Sequence, residues 1–306
     1  MRMVLAGATI ISLLTSPALA GGPPAGAMHN SDAVLPYALP NTEVRQIQSA
    51  TNNAVYQLFI ATPTDYATAG KTYPVVYMLD ADYSFALTRN VVQHFTERGK
   101  LPEMILVAIA YPGAADDMEV YSSNRKRDYT PSASLAIGDS SAQDGQNGQG
   151  GAEHFRTFIA DEVIPYIEAH YPVSNDRTFI GHSYGGLFGS YVLLTQPELF
   201  KRYVIVSPSL WFDNGLMLRV EEHAVSSRPI QAHAYFAIGA LETRTTTGAP
   251  MVQDLKQFTN KLEARRNSGL KVTLDVRAGE THESIFLGAV TRGLLTVFED
   301  TQGKSS

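Results

Sequence analysis

Arg177-Thr178-Phe179-Ile180-Gly181-His182-Ser183-Tyr184-Gly185-Gly186 runs from an apolar stretch into a Gly-x-Ser-x-Gly turn. A helix-forming run follows at once, Leu187-Phe188-Gly189-Ser190-Tyr191-Val192-Leu193-Leu194. The order is strand, tight turn, helix, the context in which such a turn presents a nucleophilic serine. A turn this sharp forces its central residue into a strained backbone conformation. Flanking glycines at Gly181 and Gly185 carry no Cβ to collide with the neighbouring strand and helix. The turn would lift the Ser183 hydroxyl out of the fold. It would also set Ser183 at a helix N-terminus, where backbone N–H groups favour developing negative charge. The plainer reading is a glycine-rich turn carrying a solvated serine.

Outward from this turn the chain alternates. Short, nearly continuous apolar runs lie at Tyr73–Leu79, Met104–Ala110, Thr178–Ile180, Tyr203–Val206 and Ala234–Ile238. Apolar residues on both faces are what a buried parallel strand requires. Val272-Thr273-Leu274-Asp275-Val276 alternates instead, which predicts a half-exposed strand near an edge. Glu43–Gln48 and Ala54–Ala61 predict a hairpin at the other edge. Helical patterns fall between, at Phe85–Arg98, Phe155–His170, Val252–Arg266 and Ser284–Phe298. Together they predict an α/β fold: a mostly parallel central sheet with helices on both faces, spanning residues 41–302. Residues 130–152 differ. They contain Ser-Ala-Gln-Asp-Gly-Gln-Asn-Gly-Gln-Gly-Gly and few hydrophobic anchors, so they are expected to form a flexible flap near the active site.

The N-terminus has the parts of a secretory signal peptide over residues 1–20. It has a basic Arg2, an apolar core from Met3 to Leu14, and Ala18-Leu19-Ala20 as the cleavage site. Residues 21–40 are rich in Gly, Pro and Ala and read as a flexible leader. The expectation is an exported protein, periplasmic or secreted, with no membrane insertion after signal cleavage. There is no cysteine, which excludes disulfides, thiol nucleophiles and cysteine-ligated metal. A formal net charge of −6 gives none of the basic surface that a nucleic-acid partner would need. No cofactor or metal is expected.

A serine needs a base within hydrogen-bond reach and a third group to orient that base. In this architecture the chain order is Ser, acid, His, each just beyond a strand. Of eight histidines, His282 alone follows the last strand, on a loop before the final helix. It is the predicted base. His182, beside the nucleophile, should point elsewhere. Glu242, beyond the Ala234–Ile238 strand, is the predicted acid, and Asp213 is its rival. An oxyanion hole needs two backbone donors. Tyr184 N–H follows the nucleophile directly, and Asp82 N–H lies in the loop Asp80-Ala81-Asp82-Tyr83-Ser84. The Asp80 and Asp82 side chains are expected to cap the helix that follows.

These residues resemble the putative esterase family within the α/β-hydrolases, whose members include enterochelin and salmochelin esterases. Tyr77-Met78-Leu79-Asp80-Ala81-Asp82 is similar to that family's Leu-Asp-Gly oxyanion loop, with Ala81 where the family has glycine. Arg127-Asp128-Tyr129-Thr130-Pro131, Gly150–Phe155, the turn Gly181–Gly186, Ser207-Pro208-Ser209-Leu210-Trp211 and Thr281-His282 follow in order. The resemblance implies an acyl-enzyme mechanism on a small-molecule carboxylic ester, with a hydrolysable catecholate trilactone as the specific candidate. It also implies substrate contacts from a basic residue, here Arg127 in the run Arg125-Lys126-Arg127, and from Trp211. Some of these relatives look like Ser–His dyads, so Glu242, Asp213 and a dyad stand as three readings. Acyl transfer, feruloyl or acetyl ester hydrolysis, and a non-catalytic binding role are the alternatives. Oligomeric state is left open.

Overall fold

Successive residues of the central strands send their side chains to opposite faces, and each face has its own apolar core. Val75 and Tyr77, Val107 and Ile109, Ile205, and Phe236 and Ile238 join one core. Val76 and Met78, Leu106 and Ala108, Val204 and Val206, and Tyr235 and Ala237 join the other. This period of two, apolar on both sides, is why the sequence shows continuous hydrophobic runs.

The computed structural model describes residues 37–132, 150–224, 229–265 and 269–299. The signal peptide, most of the leader and residues 133–149 of the expected flap lie outside the described residues. From Leu39 onward the chain forms one unit. Its strands are β1 (Thr42–Gln48), β2 (Val55–Ala61), β3 (Tyr73–Met78), β4 (Ile105–Ala110), β5 (Val173–His182), β6 (Arg202–Val206), β7 (His233–Gly239) and β8 (Lys271–Arg277). They form one sheet in the order β1-β2-β4-β3-β5-β6-β7-β8. β1 pairs antiparallel with β2, and β2 with β4. All other pairings are parallel. The edge hairpin and the half-exposed last strand are therefore where the sequence places them.

Helix α1 (Ala81–Thr96) and helix α9 (Ile285–Val297) cover one face through Phe85, Val92, Ile285, Val290 and Leu294. The other face carries α2 (Met118–Tyr129), α3 (Ala152–Phe158), α4 (Ile164–His170), α5 (Tyr184–Thr195), α6 (Phe212–Ala224) and α8 (Met251–Glu263). A short α7 (Arg244–Thr247) lies before α8. A π turn at Ile159–Val163 joins α3 to α4, so the helix expected at Phe155–His170 is continuous but bulged.

Helix α2 and helix α6 were not expected from the sequence. α2 is almost wholly polar and offers no apolar period. It forms because the Asp117 carboxylate accepts from the N–H groups of Glu119 and Val120, and because its cations meet carboxylates inside the fold. α6 begins with three left-handed residues, Asp213, Asn214 and Gly215, a kink that hides its pattern. The described ends of the expected flap are clasped together. Gly150 N–H donates to Thr130 Oγ1, and Ala152 N–H to the Thr130 carbonyl.

Candidate active site

Helices α1 and α5 begin where the adjacent parallel strands β3 and β5 end, so their N-termini meet at one end of the sheet. Ser183 occupies the turn between β5 and α5 with φ 59° and ψ −118°, a conformation that is costly for a residue with a Cβ. It is over-determined there. Ser183 N–H donates to the Val206 carbonyl, and the Ser183 carbonyl accepts from Leu187 and Ser209. The two flanking glycines are not equivalent. A Cβ on Gly181 would lie 2.3 Å from the Gly185 carbonyl oxygen, whereas one on Gly185 would meet its neighbours at ordinary contact. Close approach thus requires glycine at Gly181 and does not at Gly185.

His282 arrives from the loop beyond β8. Its Nε2 lies 2.9 Å from Ser183 Oγ and its Nδ1 2.7 Å from Glu242 Oε2. A carboxylate only accepts from an N–H here, so Nδ1 carries the proton and bare Nε2 receives the serine hydroxyl. Glu242 follows β7 and is fully buried. Its other oxygen accepts from Gly239 N–H at 2.8 Å and from Ser207 Oγ at 2.6 Å. Three donors on two oxygens replace the water this carboxylate gives up. Asp213 sits elsewhere, accepting from the Ser132 hydroxyl at 2.7 Å.

Tyr184 opens helix α5, and Asp82 stands in the first turn of α1. First-turn N–H groups have no acceptor within their helix, so both are placed to donate outward. Burial pushes the Asp82 carboxyl up, while its own backbone N–H opposes this.

The side chain of Asp80 corrects an expectation. It makes no capping hydrogen bond. Asp80 takes a left-handed conformation and turns its buried carboxylate onto Arg125, with Nε to Oδ1 at 2.7 Å and Nη2 to Oδ2 at 3.0 Å. The Arg125 guanidinium also lies over the rings of Tyr121, Tyr129 and Tyr184. This cation joins α2 to both helix starts at the site. Arg125→Met would leave the Asp80 charge buried without its cation. The expected cost is about 3–5 kcal/mol, read as a lower urea midpoint. A loss below about 1 kcal/mol, the size of an exposed pair, would show that the pair does not brace the site.

Arg127 uses Nε and Nη2 on the Asp128 carboxylate and lies over the Tyr56 and Tyr111 rings. Trp211 is 40% exposed, its ring 6.1 Å from that of Tyr184. Sequence reasoning missed Ser207, which holds the acid, and Ser209, whose Oγ lies 3.4 Å from Ser183 Oγ. Their position just after β6 was the available signal.

Residues 49–286 match the family described as putative esterase. The chain is 33% identical over 274 residues to the ferri-bacillibactin esterase BesA of Bacillus subtilis, covering 84% of this chain and 90% of that one. It is 32% identical over 216 residues to a siderophore enterobactin esterase of Emericella nidulans, covering 66% of this chain and 69% of that one. Among solved structures, the IroE-like serine hydrolase from Shewanella oneidensis superposes with a TM-score of 0.74 at 27% identity, covering 85% of this chain and 80% of that one.

Proposed function

This chain belongs to the putative esterase family, as a carboxylic ester hydrolase on the α/β-hydrolase fold, and from that premise we propose that it hydrolyses siderophore esters through an acyl-enzyme on Ser183. The observation that carries the mechanism is the unbroken line from Ser183 Oγ through the His282 ring to the buried Glu242 carboxylate. His282 Nε2 takes the serine proton as Oγ attacks the carbonyl carbon. The resulting imidazolium faces Glu242, which stabilises it without taking the proton. N–H groups at the starts of α5 and α1, from Tyr184 and Asp82, hold the oxyanion. His282 then gives its proton to the departing alcohol, and the same steps with water release the acid.

The substrate class is supported by the names of the two curated relatives, both siderophore esterases. Exposed Trp211 beside Tyr184 offers a flat apolar face to an aromatic acyl group. Arg127, paired with its neighbour Asp128 in α2 and lying over the Tyr56 and Tyr111 rings, is assigned to bracing α2 against the sheet rather than to the acyl group. Export, with a mature chain starting at Gly21, rests on the pattern of residues 1–20.

The test uses protein recovered from the periplasm, incubated with a catecholate trilactone in iron-free and ferric forms. Chromatography with mass detection should show stepwise ring opening, each step adding one water. Cleavage of simple aryl esters with both trilactone forms left intact would retain the esterase and remove the siderophore.

A further inference from the structure

His282 has to act across the sheet. β8, which delivers it, is three strands from β5, which delivers Ser183. At the usual interstrand spacing that is about 14 Å. The loop carrying His282 therefore needs fixing at its far end, and the residue before the nucleophile reaches it. His182 Nε2 lies 2.9 Å from the backbone carbonyl oxygen of His282. The two rings lie 4.7 Å apart, and His182 also meets the Phe286 ring at the start of α9. On its other side His182 Nδ1 lies 3.0 Å from the hydroxyl of Tyr83, in the first turn of α1.

We propose that His182, set by Tyr83, is a positioning residue that tethers the loop of the base to the strand of the nucleophile. The inference rests on the esterase reading above and adds two residues to it. The chemistry allows one neutral arrangement. A carbonyl oxygen accepts only, so Nε2 carries the proton, Nδ1 is bare, and the Tyr83 hydroxyl donates to it. Burial first, then the neighbouring His282 and Arg125, bring the His182 ring down to about 3, while its bond to the His282 carbonyl opposes them. A neutral His182 matters, because His282 becomes a cation during each turnover and a second cation beside it would oppose that step. One line of contacts thus joins the oxyanion loop after β3, the end of β5 and the loop after β8.

His182→Phe keeps the ring and removes both hydrogen bonds. We expect kcat to fall about 10–100-fold, the scale of a slight misplacement of a catalytic group, with KM unchanged within about twofold. Labelling of Ser183 by a fluorophosphonate should slow by the same factor. His182→Gln, whose amide can still donate to the His282 carbonyl, should recover most of the loss. Tyr83→Phe should lower kcat about 3–10-fold, a smaller displacement of the same kind. A merely structural role would lower the melting temperature and spare kcat of the folded fraction. Wild-type kcat in His182→Phe, an equal loss in Phe and Gln, or a change in KM alone would each overturn the tether. Should His182→Phe fail to fold, His182→Gln and Tyr83→Phe decide, and wild-type kcat in Tyr83→Phe overturns it. Labelling of the wild-type protein is the control for the esterase reading. Without it that reading fails, whatever the variants do.

Discussion

Ser183→Ala should lower ester turnover by about 10³–10⁶-fold, the range over which nucleophile removal acts in serine hydrolases. Binding of the uncleaved ester and the unfolding midpoint should change little. The split is expected because Ser183 has two separable roles. Its backbone holds the turn through bonds to Val206, Leu187 and Ser209, and alanine keeps all of them. Alanine also has the same Cβ and so the same strain at φ 59°. What disappears is the Oγ that His282 Nε2 deprotonates. The measurement is kcat on the variant, with the mass of the intact protein after a fluorophosphonate probe. One adduct on the wild-type chain and none on Ser183→Ala is the expected pair of results. An adduct moved to Ser209, 3.4 Å away, would show that His282 can serve a second hydroxyl. Unchanged turnover in the variant would remove the proposed mechanism.

Much of this site lies in short stretches whose physics is local, and those stretches were legible. The turn at Ser183 is marked by its glycines and by the change from strand to helix around it. His282 and Glu242 are marked by position, each just beyond a strand in the expected chain order. The buried strands of the sheet announce themselves by continuous apolar runs. What stayed hidden depends on partners far away in sequence. Helix α2 has no apolar stripe, and its Arg125 looks like part of a solvated basic run until Asp80, 45 residues earlier, is placed against it. Asp80 itself resembles a helix cap, yet a left-handed backbone turns its carboxylate away from the helix. Ser207 carries no sequence signal for its task beyond its place just after an apolar strand. Its hydroxyl reaches the acid only because β6 and β7 are neighbours in the sheet. For His182 the expectation that it points away from the nucleophile is half the answer, since it points to the loop of the base.

Glu242→Gln separates a working triad from a dyad because the surroundings of this side chain fix the way glutamine must sit. Oε1 of Glu242 accepts from the backbone N–H of Gly239, a group that can only donate. The amide oxygen of glutamine is therefore held at that position and its NH2 is aimed at His282 Nδ1. Two donors cannot share that bond. The imidazole must give up its Nδ1 proton and carry it on Nε2, where it faces Ser183 Oγ as a donor instead of a base. The expected loss in kcat is about 10⁴-fold, as in a serine protease whose orienting aspartate becomes asparagine. Glu242→Ala lacks the wrongly aimed donor and leaves space for water at the imidazole, so it should retain more activity than glutamine. It should also be less stable, because a fully buried side chain and its three hydrogen bonds are lost. Activity and stability thus rank the two variants in opposite orders. That reversal requires Glu242 to act through the proton on His282, and loss of packing alone would rank them alike. If both variants turn over within tenfold of the wild-type chain, Ser183 and His282 act as a dyad and Glu242 serves only to hold the loop.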